Sequence, residues 1–481
     1  MFNLWSLLQI VGVQVTSKVA SFLVNRSAVK SDVSSFGVAS FRLDLIVRSI
    51  VFLSREPFRK LSVRQTPSSS LSIFLWLIFP ISIIVSLVTL GLIWYSKVGF
   101  DVSGFVNAVL LTVIAALIEC VSEPFYNLNQ FHSRSFSISN LIIALSFLVK
   151  SITILYFHQL NFSIPVSFAL GHLSRSLFVL LFLFLVYRTT PIIATNSQGR
   201  NVHYYPLFKL FFVQTILKYC LTEFENTILY FSLTNDDLAV LTIIQSILVF
   251  VTKFLFLPME ELIHRTFSFI QNTLTKIFVL CRIGTFISIF FSFFLHLYGE
   301  FVLSTLFPDA LLNHATIAKQ LFLFSLTLPF LSINGISEAV LHSSANARVL
   351  SALNYYYSFI SLVCAGFGFY LVKVFGLVGV SFSTIINMTL RIIVAFKYLN
   401  KSGVAVSVGD VLPRVTCLFS TVVSLFLFKW FTVHFSVVLV ELSGRFIIFT
   451  GVFVVLGVLN STLFVYNDWD DISIFFKPKT D

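Results

Sequence analysis

Charge is scarce in this chain. Asp, Glu, Lys and Arg together make up 11% of its residues, against ~25% in a soluble globular protein. The hydrophobic share is 57% and the mean hydropathy +0.93, more apolar surface than a globular core buries. A soluble domain is excluded, and a polytopic membrane protein is expected. Acids are scarcer still, 21 against 32 Lys and Arg. In a membrane protein that excess reads first as loop bias toward the cytoplasm. No run of five like charges forms a binding tail, so no nucleic-acid partner is expected. Cysteine is rare as well: Cys120, Cys220, Cys281, Cys364 and Cys417 lie far apart in apolar stretches, without metal or thiol-redox spacing. The Gly-rich loop ending in Lys-Ser/Thr that would cradle ATP is missing. The loops are too short to present the paired carboxylates of a sugar-processing enzyme. The expectation is a protein that is not an enzyme, with no catalytic residue, no cofactor and no metal.

What the chain has in quantity is long apolar runs, with 58 Phe filling lipid-facing and packing positions. A span needs about 20 mostly apolar residues, and fourteen candidates follow: 4–24, 36–54, 71–95, 104–128, 136–158, 164–187, 205–232, 238–257, 277–299, 316–342, 351–372, 376–398, 412–434 and 443–466. The first is expected to be a helix and not a signal peptide, because no basic segment precedes it and Lys18 interrupts it. The longest mid-chain polar stretch, Arg188 to Arg200, separates six spans from six. The expected fold is all-α, about fourteen transmembrane helices in two six-helix pseudo-repeat lobes, 1–190 and 205–400. A helix pair and cytosolic tail follow at 401–481. Arg55, Arg59, Lys60, Arg64, Arg134, Arg188, Arg200, Arg265, Arg348 and Lys401 fall on one face, which places both termini in the cytosol. The tail Lys477-Pro-Lys479-Thr480-Asp481 resembles a retrieval signal of the endoplasmic reticulum.

The two halves carry matching landmarks. Gln14-x-x-x-Lys18 and Gln214-x-x-x-Lys218 are 200 residues apart, and Glu56-Pro57 is matched by Pro258-Met259-Glu260-Glu261. Duplicated bundles are a common transporter plan. Within or at the ends of the spans stand nine bases (Lys18, Arg42, Arg48, Lys150, Arg175, Lys218, Lys253, Arg282, Arg391) and five acids (Asp44, Glu119, Glu223, Glu225, Glu338). A central Lys or Arg costs about 2.5–3.5 kcal/mol on insertion scales, so each needs a partner, an interface or a wet cavity. Asp44 and Arg48 are four apart and can pair. Lys18, Arg42, Lys150, Arg175, Lys218 and Arg391 have no acid adjacent in sequence. Salt bridges between helices are one reading of them. A hydrated cationic cavity for a phosphate or pyrophosphate is the other, since Arg offers a planar donor fork. The densest cluster is Ser54-Arg55-Glu56-Pro57-Phe58-Arg59-Lys60, followed by Arg64. Glu-Pro recurs at Glu123-Pro124, and proline beside an acid at matched helix ends is expected to act as a hinge or gate.

These residues resemble the Rft-one family, the dolichol-linked oligosaccharide translocation proteins of the endoplasmic reticulum. The resemblance rests on Gln14-x-x-x-Lys18…Asn25, Ser54-Arg-Glu-Pro-Phe-Arg59, Leu221-Thr-Glu-x-Glu225, Pro258-Met-Glu-Glu261, Ile333-Asn-Gly-Ile-Ser-Glu338 and Asn387-Met-x-x-Arg391. The family is similar to the multidrug/oligosaccharidyl-lipid/polysaccharide exporter superfamily. The resemblance implies movement of mannosylated N-acetylglucosamine-pyrophosphate-dolichol from the cytosolic to the lumenal leaflet, or support of it. The implied partners are that lipid, the surrounding membrane lipid and the N-glycosylation machinery. On this reading Lys18, Arg42, Arg55, Arg59, Arg64, Lys218 and Arg391 hold the pyrophosphate head. Glu56, Pro57, Glu260 and Glu261 form the gate. A non-transporting accessory protein and an ion-coupled exporter using Asp44 or Glu119 are the alternatives.

Overall fold

The computed structural model describes residues 4–63, 69–129, 131, 133–189, 204–252, 256, 274–307, 314–344 and 347–401, with isolated residues at 409, 412–413, 419, 422–423, 426 and 462. All regular structure among them is helical, as lipid demands of a chain that must satisfy its own backbone. Eight helical stretches are long and apolar enough to cross a membrane: Leu71–Ser96, Phe105–Asn129, Ile138–Gln159, Ile164–Arg188, Cys281–Ser304, Ala315–Leu341, Tyr355–Phe375 and Leu377–Asn400. The protein is a multi-pass membrane protein. The spans expected at 412–434 and 443–466 lie outside the described residues, apart from single positions.

Contacts group the chain into two compact units, Met1–Ile243 and Ile244–Asp481. The polar break at 188–204 marks where the sequence divides, but the helices that follow it, up to Ile243, pack with the first unit. That unit contains α1 (Leu4–Ser31), α2 (Val33–Gly37), a π-helical turn (Val38–Leu43) and α3 (Asp44–Val63). It continues with α4 (Ser69–Leu75), α5 (Ile78–Ser96), α6 (Phe105–Asn129), α7 (Ser133–Gln159) and α8 (Ile164–Thr189). After the break come α9 (Tyr204–Thr222), α10 (Phe224–Ser232) and α11, which starts at Asn235 and runs to Val251.

Two expected spans are divided. The stretch 36–54 belongs to a helical run that starts at Val33, capped by Asp32, whose side chain accepts from the Ser34 N–H at 3.1 Å, and a π segment at Val38–Leu43 interrupts its α geometry. Such π segments are frequent at functional sites. The stretch 205–232 breaks at Glu223, between α9 and α10. α3 packs on α5, α6 and α9, and α6 in turn packs on α8. Phe58, fully buried on α3, lies 4.7 Å from the ring of Phe208 and 5.9 Å from that of Phe74.

The α2–π segment runs parallel to the start of α11 in constant register. Ser34 donates to Asp236, and Ser40 donates to Thr242 at 3.3 Å. Between them Gly37 sits so close to α11 that a Cβ would strike the Asn235 carbonyl and come within 2.8 Å of the Ala239 nitrogen. All three pairings, 34 with 236, 37 with 239 and 40 with 242, share one offset of 202 residues.

The second unit holds α12 (Leu274–Leu306), α13 (His314–Ser325), α14 (Thr327–Ser344), α15 (Ala347–Phe375) and α16 (Leu377–Lys401). α12 packs on α13 and α14, and α16 packs on α14 and α15. Gly376, at φ +59°, ends α15 and lets α16 turn back beside it, a left-handed position that favours glycine.

Candidate functional site

Charged side chains on α3 recur at Asp44, Arg48, Arg55 and Arg59. At 100° per residue these positions fall within about 60° of one another, so they form a single stripe ~22 Å long. Across from its far end, α6 offers Glu119 and Glu123, also four apart. Arg59 grips Glu123 with two prongs, Nε to Oε2 at 2.9 Å and Nη2 to Oε1 at 2.7 Å. Its guanidinium also lies 4.2 Å from the Tyr126 ring centre. Arg175 of α8 reaches Glu119 Oε1 at 3.1 Å and stacks on Phe147 at 4.5 Å. The carboxylates sit inside the bundle, their side chains 7% (Glu119) and 4% (Glu123) exposed.

Arg55 is the third base on these two carboxylates. Its Nη1 stands 3.6 Å from Glu119 Oε1 and 3.5 Å from Glu123 Oε1, beyond good hydrogen-bond distance. Its Nε has no partner among the described residues. Of the three bases on these two carboxylates, Arg55 is the one held most loosely.

The near end of the stripe is a second cluster. Arg48 Nε lies 3.1 Å from Asp44 Oδ2 and Arg48 Nη1 3.6 Å from Glu223 Oε2. Lys150 of α7 meets Asp44 Oδ1 at 3.1 Å. His172 of α8 lies behind them. Gly171 allows this approach, because a Cβ there would stand 2.5 Å from Ile154 Cγ1 and 3.2 Å from the Lys150 carbonyl. Arg48 is the most exposed base of the stripe, at 43%.

For Lys150, Arg175 and Arg391 the structure shows the first of the two readings, salt bridges between helices. Lys150 pairs with Asp44, 106 residues away, Arg175 with Glu119, 56 away, and Arg391 with Glu338, 53 away. Adjacency along the chain hid partners that the bundle brings together. Arg391 and Glu338 both belong to the second unit, where Arg391 also lies 5.1 Å from the Tyr357 ring centre.

Arg42 is different. It is 2% exposed and has no carboxylate within salt-bridge distance among the described residues. Its Nη2 donates to the Leu233 carbonyl at 3.3 Å, and the guanidinium lies 5.3 Å from the Tyr230 ring centre. Its Nε and Nη1 have no hydrogen-bond partner among the described residues.

The structure thus gathers Arg55 and Arg59 at one end of α3, with Arg42 beyond the other end. Glu56 and Pro57 lie within α3, whose helix runs on through the proline. Lys18 lies in α1 and Lys218 in α9, with side chains outside the described set. Arg64, Glu260 and Glu261 are not among the described residues. Sequence reasoning offered Lys150 and Arg175 only among the bases of a cationic cavity and Asp44 and Glu119 only as ion sites of the exporter alternative, and it missed Arg48, Glu123 and His172 as site residues. The four-residue spacing of 44/48 was the one signal toward Arg48.

The Rft protein family model matches residues 5–468. Among curated relatives, the "Man(5)GlcNAc(2)-PP-dolichol translocation protein RFT1" of Dictyostelium discoideum is 23% identical, with 79% of this chain and 83% of that protein covered. Its namesake from Yarrowia lipolytica is 26% identical over 80% of this chain and 68% of that protein. Among solved structures, the lipid II flippase MurJ in an inward closed conformation superposes with a TM-score of 0.67 at 13% identity, covering 95% of this chain and 99% of that one. At that identity the likeness establishes the fold.

Proposed function

This chain belongs to the Rft protein family, and from that membership we propose that it transports a lipid-linked oligosaccharide. The cargo of this reading is mannosylated N-acetylglucosamine-pyrophosphate-dolichol, carried from the cytosolic to the lumenal leaflet of the endoplasmic reticulum for protein N-glycosylation. The observation that carries it is Arg55, part-exposed and held only loosely by two carboxylates that Arg59 and Arg175 already occupy. A guanidinium with donors to spare beside an apolar bundle is suited to an anion that comes and goes.

The chemistry follows from the stripe. The isoprenoid tail stays in lipid while the head group meets α3. Its phosphates meet Arg55 and the part-exposed Arg48, the guanidinium fork matching phosphate oxygens. Arg59, already held by Glu123, orients that end of the stripe. The head then passes to Arg42, about 20 Å along the axis from Arg55 at 1.5 Å per residue, whose unused donors make it the second station. Beside Arg42 the parallel pair Ser34–Gly37–Ser40 and Asp236–Ala239–Thr242 closes the path, and it parts for release.

The remaining assignments belong to the same proposal. Fourteen spans fall into lobes 1–190 and 205–400 plus a pair at 401–481, both termini face the cytosol, and the lobes rock about the head group. Lys18, Arg64, Lys218 and Arg391 add to the cationic path. Glu56, Pro57, Glu260 and Glu261 form the cytosolic gate.

One observation favours an accessory role in the N-glycosylation pathway instead: the two-pronged Arg59–Glu123 pair is what a purely structural ion pair looks like. Reconstitution decides between them. Vesicles holding the full chain and a fluorescent lipid-linked oligosaccharide are expected to exchange that lipid between leaflets, with at least a tenfold loss in Arg55→Gln. Equal exchange in empty vesicles and in vesicles carrying the protein sinks the transport reading.

A further inference from the structure

The near end of the stripe contains a group that the proposed transport does not use. His172 is 2% exposed, and its Nε2 lies 3.1 Å from Lys150 Nζ and 3.7 Å from Asp44 Oδ1. An ammonium group has only hydrogens to offer, so at that distance the imidazole must accept through Nε2. Its own proton then sits on Nδ1, which is buried and has no partner among the described residues. A second ring proton would aim an N–H at the lysine's N–H bonds. Asp44, Lys150 and His172 therefore hold one vacant proton position, blocked by Lys150.

The charges described around that position come from several elements, and Arg42 of the π segment that also packs on α8 turns away to Leu233 and Tyr230. α3 supplies Asp44 and Arg48, α7 supplies Lys150, and α8 supplies Arg175 beside His172 itself. α6 supplies Glu119, which Arg175 occupies at 3.1 Å. Glu223, between α9 and α10, stands behind Arg48 at 3.6 Å. The Lys150 ammonium stands where a second ring proton on Nε2 would point. A dianionic pyrophosphate that draws Arg48 away changes this, because Asp44 loses one of its two cations and negative charge arrives close by. Asp44 then takes Lys150 fully, which uncovers His172 Nε2.

We propose that the Asp44–Lys150–His172 cluster is a proton site coupled to anion binding, taking up a proton when a pyrophosphate head group engages Arg48 and giving it back when the head group leaves. The step balances: one proton enters from water through the part-exposed Asp44 edge and binds His172 Nε2, and no covalent bond changes. Its use is charge compensation. A dianion travelling with a proton carries one net negative charge less through the apolar bundle. By linkage the coupling is equal in both directions, so lower pH tightens anion binding by as much as the anion favours the proton.

This inference rests on the pyrophosphate reading, and its test keeps the two apart. The probe is citronellyl-pyrophosphoryl-N-acetylglucosamine, a pyrophosphate diester with no titrating group of its own between about pH 5 and 8. Its binding to the full chain in nanodiscs is followed by calorimetry in buffers of different ionisation heat, which reports protons taken up per ligand bound. The expected result is uptake approaching one proton and affinity rising up to tenfold per pH unit lowered, the limit for a single linked proton. His172→Gln and His172→Phe are expected to bind without uptake and without pH dependence. Binding by wild type with no proton uptake overturns the proposal, whether or not the variants fold. Uptake unchanged in a folded His172 variant overturns the assignment to His172. Failure of wild type to bind the probe overturns the pyrophosphate reading and this inference with it.

Discussion

Arg59 and Arg42 stand near opposite ends of α3, and the protein treats them differently. Arg59 is saturated by Glu123 with two hydrogen bonds and capped by the Tyr126 ring. Arg42, more deeply buried, makes do with one carbonyl and one aromatic face. The first arrangement is stable as it stands. The second keeps two donors in reserve inside a membrane protein. The difference separates cations that hold the bundle together from cations that the bundle holds for something else, and Arg55, loosely shared between two acids, stands between the two classes.

Three substitutions sharpen or break that distinction. Glu123→Ala has the largest expected effect, because it strands Arg59 and leaves Arg55 with Glu119 alone. Removing one partner of a buried pair costs about 3–5 kcal/mol, and thermal unfolding in detergent reads it as a lowered midpoint. A wild-type midpoint would mean that the pair is not structural. Arg59→Lys keeps the charge but forfeits the fork, and is expected to cost about 1.5–3 kcal/mol in the same measurement. The smallest effect on stability belongs to Arg42→Met, which strands no carboxylate. It is expected to be neutral or slightly stabilising, on the order of 1 kcal/mol, while leaflet exchange falls at least tenfold. A marked loss of stability in Arg42→Met would place Arg42 with Arg59 and erase the contrast.

Hydropathy made the lipid-facing helices legible. The spans expected at 71–95, 104–128, 164–187 and 376–398 match Leu71–Ser96, Phe105–Asn129, Ile164–Arg188 and Leu377–Asn400 within a few residues, because lipid rewards apolar length regardless of neighbours. The divided segments were not legible. The π turn at Val38–Leu43 and the break at Glu223 depend on what packs against them, and no proline or glycine run announces either. The charge partners were hidden for a related reason. Asp44 to Arg48 could be read from a spacing of four, whereas Lys150 to Asp44 and Arg175 to Glu119 exist only once α3, α6, α7 and α8 are side by side. Arg55 and Arg59 could be picked out as a cluster, but that one is gripped by two prongs and the other held loosely depends on acids of a different helix.

The Gly37 contact has a consequence of its own. If the two halves are the duplicated lobes proposed above, residues that meet partners 202 positions later, in parallel and in step, reproduce inside one chain the self-complementary seam of a twofold dimer. In a true dimer every mutation there strikes both sides at once. A chain that carries both sides itself is released from that symmetry, so Ser34 has been free to face an aspartate, Gly37 an alanine and Ser40 a threonine. Compensating changes at such pairs in related sequences would record how far the two faces have drifted apart.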